Sequence, residues 1–190
     1  HWAFQPVKKP PAPKVKDGQW ASNGIDPFIL ARLEKAGLKP SQPASKATLV
    51  RRVFYDLIGL PPSPEEVQAF LADNSPDAFE NLVDDLLDRP QYGEKWGRHW
   101  LDLVRYAETN GYERDSEKPE AWRYRDYVIR ALNQDKPYNR FILEQLAGDE
   151  LPDRGGDAII ATGFHRLGTW DDEPADRELA KYDYLDDILR

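Results

Sequence analysis

Residues 92–151 read YGEKWGRHWLDLVRYAETNGYERDSEKPEAWRYRDYVIRALNQDKPYNRFILEQLAGDEL, and this stretch decides the fold. Three tryptophans and six tyrosines lie in it among a dense set of Arg, Asp and Glu. Rings interleaved with charges are costly to order unless they build a specific core or a site. The periodicity is helical. Trp96, Trp100, Leu103 and Ala107 recur on one face of a helix predicted over 93–109. Residues 110–119 (NGYERDSEKP) form a polar loop. A helix follows Pro119 over 120–134, and another begins near Pro137 and stops at Gly148.

Upstream, the punctuation is also helical. Asp26 is placed to N-cap a helix with Pro27 at its first position and Gly37 as its stop. Leu49, Val50, Val53, Phe54 and Leu57 recur at helical spacing over 45–58, and Gly59 ends the run. Ser63, Pro64 and Glu66 spell a capping box. Ser75-Pro76-Asp77 repeats the device for a helix through Leu87, closed by Arg89-Pro90. Downstream, 151–158 is a turn, 158–168 a short helix or irregular element, 168–176 a loop and 178–189 a last helix. No run alternates like a strand. The predicted class is all-α, an irregular multi-helix bundle of about eight helices. Residues 1–24 form an extended Pro/Lys-rich arm or linker, with His1, Trp2, Phe4 and Trp20 as its possible anchors, and 25–190 form the helical domain.

Composition narrows the function classes. The net charge is −8; residues 1–24 carry +3, which leaves −11 on the rest. So acidic a body argues against a nucleic-acid partner, because phosphate binding needs a basic footprint. It permits a cationic partner or a metal ion. With no cysteine, the chain holds no disulfide, thiolate site or covalent haem attachment. With no methionine, it reads as a piece of something longer. No apolar run approaches the roughly 18–20 residues of a membrane span.

Several constellations are candidates for chemistry, and each also has a structural reading. His99 and Asp102 share a helix face, as an acid–base pair or two metal ligands; the alternative is a core histidine held by one hydrogen bond. Arg98, Asp102, Arg105 and Thr109 form either a salt-bridge ladder or a strip from which Arg105 clamps an acidic group elsewhere. Glu108, Asn110, Glu113, Asp115 and Glu117 are a carboxylate cluster or a solvated loop. Trp122 and Tyr124 offer a stacking surface for sugars, or core packing. The knots Asp171-Asp172 and Asp186-Asp187 would bind a cation if they met in space; capping of helix ends explains them equally well. There is no phosphate loop, Ser-His-Asp order or zinc spacing.

The segments WAFQPV (2–7), IDPFILARLEKAGL (25–38), LVRRVFYDLIGLPPSPEEVQAFLAD (49–73), YGEKWGRHWLDLVRYAETNGY (92–112), AWRYRDYVIRALNQDKPYNRFILEQLAGD (121–149), ATGFHRLGTWDD (161–172) and YDYLDDIL (182–189) occur in this order. Together they resemble the second planctomycete-type cytochrome-associated domain, a family of uncharacterised function. The resemblance implies a part of a large secreted or surface-associated bacterial protein, hence an extracytoplasmic location. It implies neighbouring domains as partners, among them a c-type cytochrome-like one. The family pattern continues past the LDD motif into a Cys-x-x-Cys-His sequence. The resemblance thus implies haem c in the full-length protein and no cofactor within this chain, which has no Cys. It transfers no catalytic residue.

Three functions are expected from these readings. The first is a non-catalytic module that docks or supports a neighbouring haem domain. The second is a glycan-binding or glycan-hydrolysing domain using Asp102, Glu108 and Glu113 with Trp122 and Tyr124. The third is a structural cation site at the two aspartate knots.

Overall fold

The computed structural model describes residues 1–189, and it is all-α, with nine α-helices and two 3-10 turns among the described residues. The chain divides into two compact units, His1–Ala44 and Ser45 onward. No described helix is long and apolar enough to cross a membrane.

The first unit holds a 3-10 turn (Trp2–Phe4), the Pro/Lys segment and α1 (Asp26–Lys35). The start of α1 corrects the expected cap. Ile25 occupies the cap position, and the Asn23 side chain accepts from Ile25 N (2.8 Å) and Asp26 N (3.1 Å). Asp26 instead turns back to accept from Ser22 N and Asn23 N. Gly37 does end the helix, with φ +69° and a Leu38 N to Leu33 O bond of 2.9 Å. Within this unit the Phe4 ring lies against that of His1, with ring centres 6.0 Å apart.

The second unit comprises α2 (Lys46–Leu57), α3 (Pro64–Ala72), α4 (Ala78–Leu87), α5 (Pro90–Leu103), α6 (Ala121–Asn133), α7 (Tyr138–Ala147), α8 (Gly156–Ala161), a 3-10 turn (Thr162–Arg166) and α9 (Arg177–Leu189). Ser45 caps α2 through Thr48 N. The box at α3 is complete: Ser63 N donates to Glu66 Oε2 (2.7 Å) and Glu66 N to Ser63 Oγ (3.2 Å). Arg89, just before α5, also grips Glu66 at 2.7 Å. At α4 the device fails, because the Asp77 side chain makes no capping bond.

Two apolar clusters result. Val50, Val53, Phe54, Ile58, Phe70, Ala78 and Leu86 join α2, α3 and α4. Tyr124, Tyr127, Val128, Ala131, Phe141, Ala161 and Leu167 form the second, with Trp100, Leu101 and Val104 packed against it. Burying such side chains contributes about 1.5–3 kcal/mol each before entropy is counted.

The fifth helix departs from the sequence expectation in length and in face. It ends at Leu103, not 109. Arg105 takes the left-handed conformation (φ 57°), and Tyr106 N bonds to Leu101 O at 2.9 Å. This is the helix-ending geometry that glycine usually marks, here with no glycine to signal it. The polar ladder through Thr109 therefore does not exist as one helical strip. The buried face is Gly93, Gly97 and Trp100, because glycines let α5 approach α6 closely. Trp96 (41% exposed) and Leu103 (76%) face outward.

Candidate functional site

Past Arg105 the chain makes a closed loop. Asn110 N donates to Ser116 O (2.9 Å), Lys118 N to Glu108 O (2.7 Å) and Gly111 N to Asp115 Oδ1 (2.7 Å). One antiparallel bridge, Thr109 to Glu117, completes it. Gly111 (φ +66°) and Asp115 (φ 47°) supply the left-handed turns. Hydrogen bonds from Thr109 and from Gly111 N hold the Asp115 carboxyl below its ordinary pKa.

The segment from Gly168 to α9 lies on this loop. Trp170 N donates to Asn110 O (3.0 Å) and Asn110 Nδ2 to Asp172 Oδ1 (2.9 Å). Ser116 Oγ also bonds Asp172, Arg114 pairs with Glu173 and Lys118 Nζ donates to Gly168 O (3.0 Å). Arg105 grips Asp187 on α9 with both guanidinium arms, at 3.1 and 2.7 Å, and this pairing raises the Arg105 pKa. Tyr184 donates to His165 O, and its ring meets Trp170 edge-on at 5.4 Å. Arg105 thus clamps an acidic group on a distant segment, and Asn110 meets Asp172.

Three hollows open beside the junction, and two of them reach α6. The larger, of about 460 Å³, lies between α6, the Thr162–Arg166 turn and the Trp170–Tyr184 pair, with Asn110, Lys118 and Tyr124 also on its wall. Burial and the nearby Arg166 charge hold the Lys118 ammonium below its ordinary pKa. The smaller, of about 320 Å³, is lined by Glu108, Thr109, Glu117, Lys118, Pro119 and Trp122.

The remaining candidates separate. His99 is exposed, not in the core, because the α5 face toward α6 is the glycine face. Its Nε2 lies 3.3 Å from Lys95 Nζ, and its ring centre 5.3 Å from that of Trp96. Asp102 is exposed and forms no ion pair among the described residues. Glu108 accepts from Tyr106 OH (3.1 Å) and Arg125 (3.3 Å); burial and this carboxylate push the Tyr106 pKa up to about 12. Trp122 is 43% exposed, with the Arg123 guanidinium 5.0 Å from its ring. Tyr124, two residues on, turns inward at 3% exposure, its hydroxyl bonded to Trp100 and Gln145. Those two rings therefore make no common platform, as residues two apart point to different sides of a helix. The aspartate knots do not form a ligand set: among the described residues no three His, Asp or Glu side chains converge as a metal site. Asp171 and Asp187 do share the wall of a hollow of about 310 Å³ with Asp183 and Tyr112.

Sequence reasoning passed over Lys118, Arg166 and Tyr184. They come from three separate segments with no motif spacing between them. The only local hint was Arg166, close before the GTWDD run.

The family model PSCyt2, described as protein of unknown function (DUF1549), matches residues 24–190. No curated protein and no solved structure matches the chain.

Proposed function

The chain belongs to the PSCyt2 family, and from that premise we propose that it is a non-catalytic helical module of a larger extracytoplasmic bacterial protein, supporting a neighbouring c-type haem domain. The observation that carries this reading is the anchoring of α9. The Arg105–Asp187 pair ties that helix to the start of the loop after α5, although 82 residues separate the two side chains, and Tyr184 ties it to His165 O and the Trp170 ring. In the family pattern that the sequence resembles, the segment after Leu185-Asp186-Asp187 carries the haem-attachment motif. A helix tied at this point would give that segment a defined direction. An acidic body suits a basic cytochrome-type partner.

The haem would be held elsewhere. The described residues do not fit it: there is no thiol for covalent attachment, and His165 Nε2 lies 3.2 Å from Leu146 O. The test is the natural full-length protein, produced in a host that attaches haem c. A c-type absorption spectrum is expected, with protease protection of α9 that Arg105→Gln weakens. A full-length protein that takes up no haem would overturn the reading.

A second reading, glycan binding, draws on one observation. Glu108, Glu117 and the exposed Trp122 share the smaller hollow. Sugars stack on exposed aromatic faces and donate hydrogen bonds to flanking carboxylates. Titration with oligosaccharides should then shift the fluorescence of the wild type and not of Trp122→Ala. An unchanged wild-type spectrum sinks this alternative.

A further inference from the structure

We propose that the hollow of about 460 Å³ binds a small organic anion, its carboxylate or sulfonate facing Lys118 and Arg166 and its apolar body lying against Ile160, Leu167 and Trp170. The proposal is independent of the haem-support reading.

Charge is the first argument. The chain is acidic, yet the ionisable side chains Lys118, Arg123, Arg166 and Glu120 give this hollow more positive than negative charge. Arg123 is paired with Glu120. Lys118 gives one N–H to the Gly168 carbonyl and forms no direct ion pair among the described residues; the Asp115 carboxylate acts on it only at longer range. Arg166 has no carboxylate partner among them either. Its guanidinium lies 5.6 Å from the Trp170 ring centre and 5.7 Å from that of Tyr184, and these two rings orient it. Burial first, and then the neighbouring Arg166 charge, lower the Lys118 pKa, and the Asp115 carboxylate offsets them only in part. An anion facing both relieves the repulsion. A planar carboxylate also matches the guanidinium fork.

The walls supply the second argument. Ile159, Ile160, Leu167 and the Trp170 and Tyr184 rings make most of the rest of the surface apolar. A bare inorganic anion would satisfy the cations and leave these walls against water. An uncharged apolar molecule would cover the walls and desolvate the cations with nothing in return. An anion with an apolar body satisfies both, and the volume lies within the range of about 300–1,000 Å³ typical of small-ligand sites.

The probe is anilinonaphthalene sulfonate, with uncharged phenylnaphthylamine as its control. The wild type should bind one sulfonate probe per chain, with energy transfer from Trp170 that Trp170→Phe reduces. Each of Arg166→Gln and Lys118→Gln should weaken binding by about tenfold, the scale of one lost charge-assisted hydrogen bond. Arg166 is exposed and Lys118 half-buried, and unchanged circular dichroism and urea midpoint establish that the variants are folded. The uncharged control should bind at least tenfold more weakly than the sulfonate. Equal binding of the two probes, or binding that both variants leave within twofold of wild type, overturns the proposal.

Discussion

Gly93→Ala should destabilise the second unit although it adds a single methyl group. A Cβ at Gly93 would stand 2.5 Å from Ile129 O, 2.6 Å from Asn133 Oδ1 and 2.7 Å from Asn133 Cγ. These distances lie inside van der Waals contact, and the first atom belongs to the α6 backbone, which cannot swing aside. Asn133 also joins the two helices chemically: it accepts from Gly93 N at 2.7 Å and donates to Pro90 O at 3.1 Å. Gly93 N is among the first donors of α5, which the helix itself leaves unsatisfied. Overpacking costs about 1–3 kcal/mol and each lost hydrogen bond about 1 kcal/mol. Alanine returns about 1 kcal/mol of helix propensity. The net is a loss of roughly 2–4 kcal/mol, or a fall in Tm of roughly 4–16 °C for a domain of this size. Gly97→Ala is the control. Its Cβ would meet Cγ1 of the Ile129 side chain at 3.3 Å, a contact relieved by a shift of a few tenths of an ångström that the gain in helix propensity offsets, so stability should stay within about 1 kcal/mol of wild type. Urea unfolding followed by tryptophan fluorescence measures both variants. A Gly93→Ala protein as stable as Gly97→Ala would refute the close-approach argument.

Glu144 is 5% exposed and receives hydrogen bonds from Lys136, Arg140 and Tyr127, so Glu144→Gln should cost about 3 kcal/mol in urea unfolding, the scale of a broken buried pair. Burial pushes the Glu144 pKa up, but those three donors outweigh it and leave it below the ordinary value. Its contribution to stability is therefore full above about pH 4.3 and lost as pH falls through the folded-state pKa; the acid limb of the wild-type stability curve should flatten in the variant. Burial raises the Tyr124 pKa to about 12, against a Trp100 bond that lowers it. A difference-absorbance titration should show late phenols, one fewer in Tyr124→Phe, and the linked stability should be full below about pH 10 and lost as pH rises through about 12. A double-mutant cycle of Arg105→Gln and Asp187→Asn should give a coupling of under about 1 kcal/mol, since their side chains are 60% and 39% exposed. A coupling of several kcal/mol would contradict that.

Much of the fold was legible because its signals are local. Ser63, Pro64 and Glu66 start a helix by bonding within four residues, and Gly37 and Gly59 end helices by adopting positive φ. The end of α5 was not legible, because Arg105 takes that conformation without a glycine to announce it. Its inner face was misread for a related reason. Hydrophobic spacing favoured Trp96 and Leu103, whereas Gly93 and Gly97 register nothing in a hydropathy pattern and yet admit the neighbouring helix. At the candidate site, Arg105, Asn110, Asp172 and Asp187 each stood out as polar residues, but not the pairing of Arg105 with Asp187 and of Asn110 with Asp172.

What the sequence by itself determined is the all-α class, most helix boundaries and the family, since each rests on order and spacing along the chain. Only the tertiary structure decided which charges are engaged. Asp187 is held by Arg105 across 82 residues and Asp172 by Asn110 across 62, while Arg166 faces aromatic rings. The reason is physical: a charge acts over a few ångströms, and any of many carboxylates could have served each arginine. Which pairs form depends on how α5, α6 and α9 pack, and that is set by glycine contacts and a left-handed turn that local spacing does not encode.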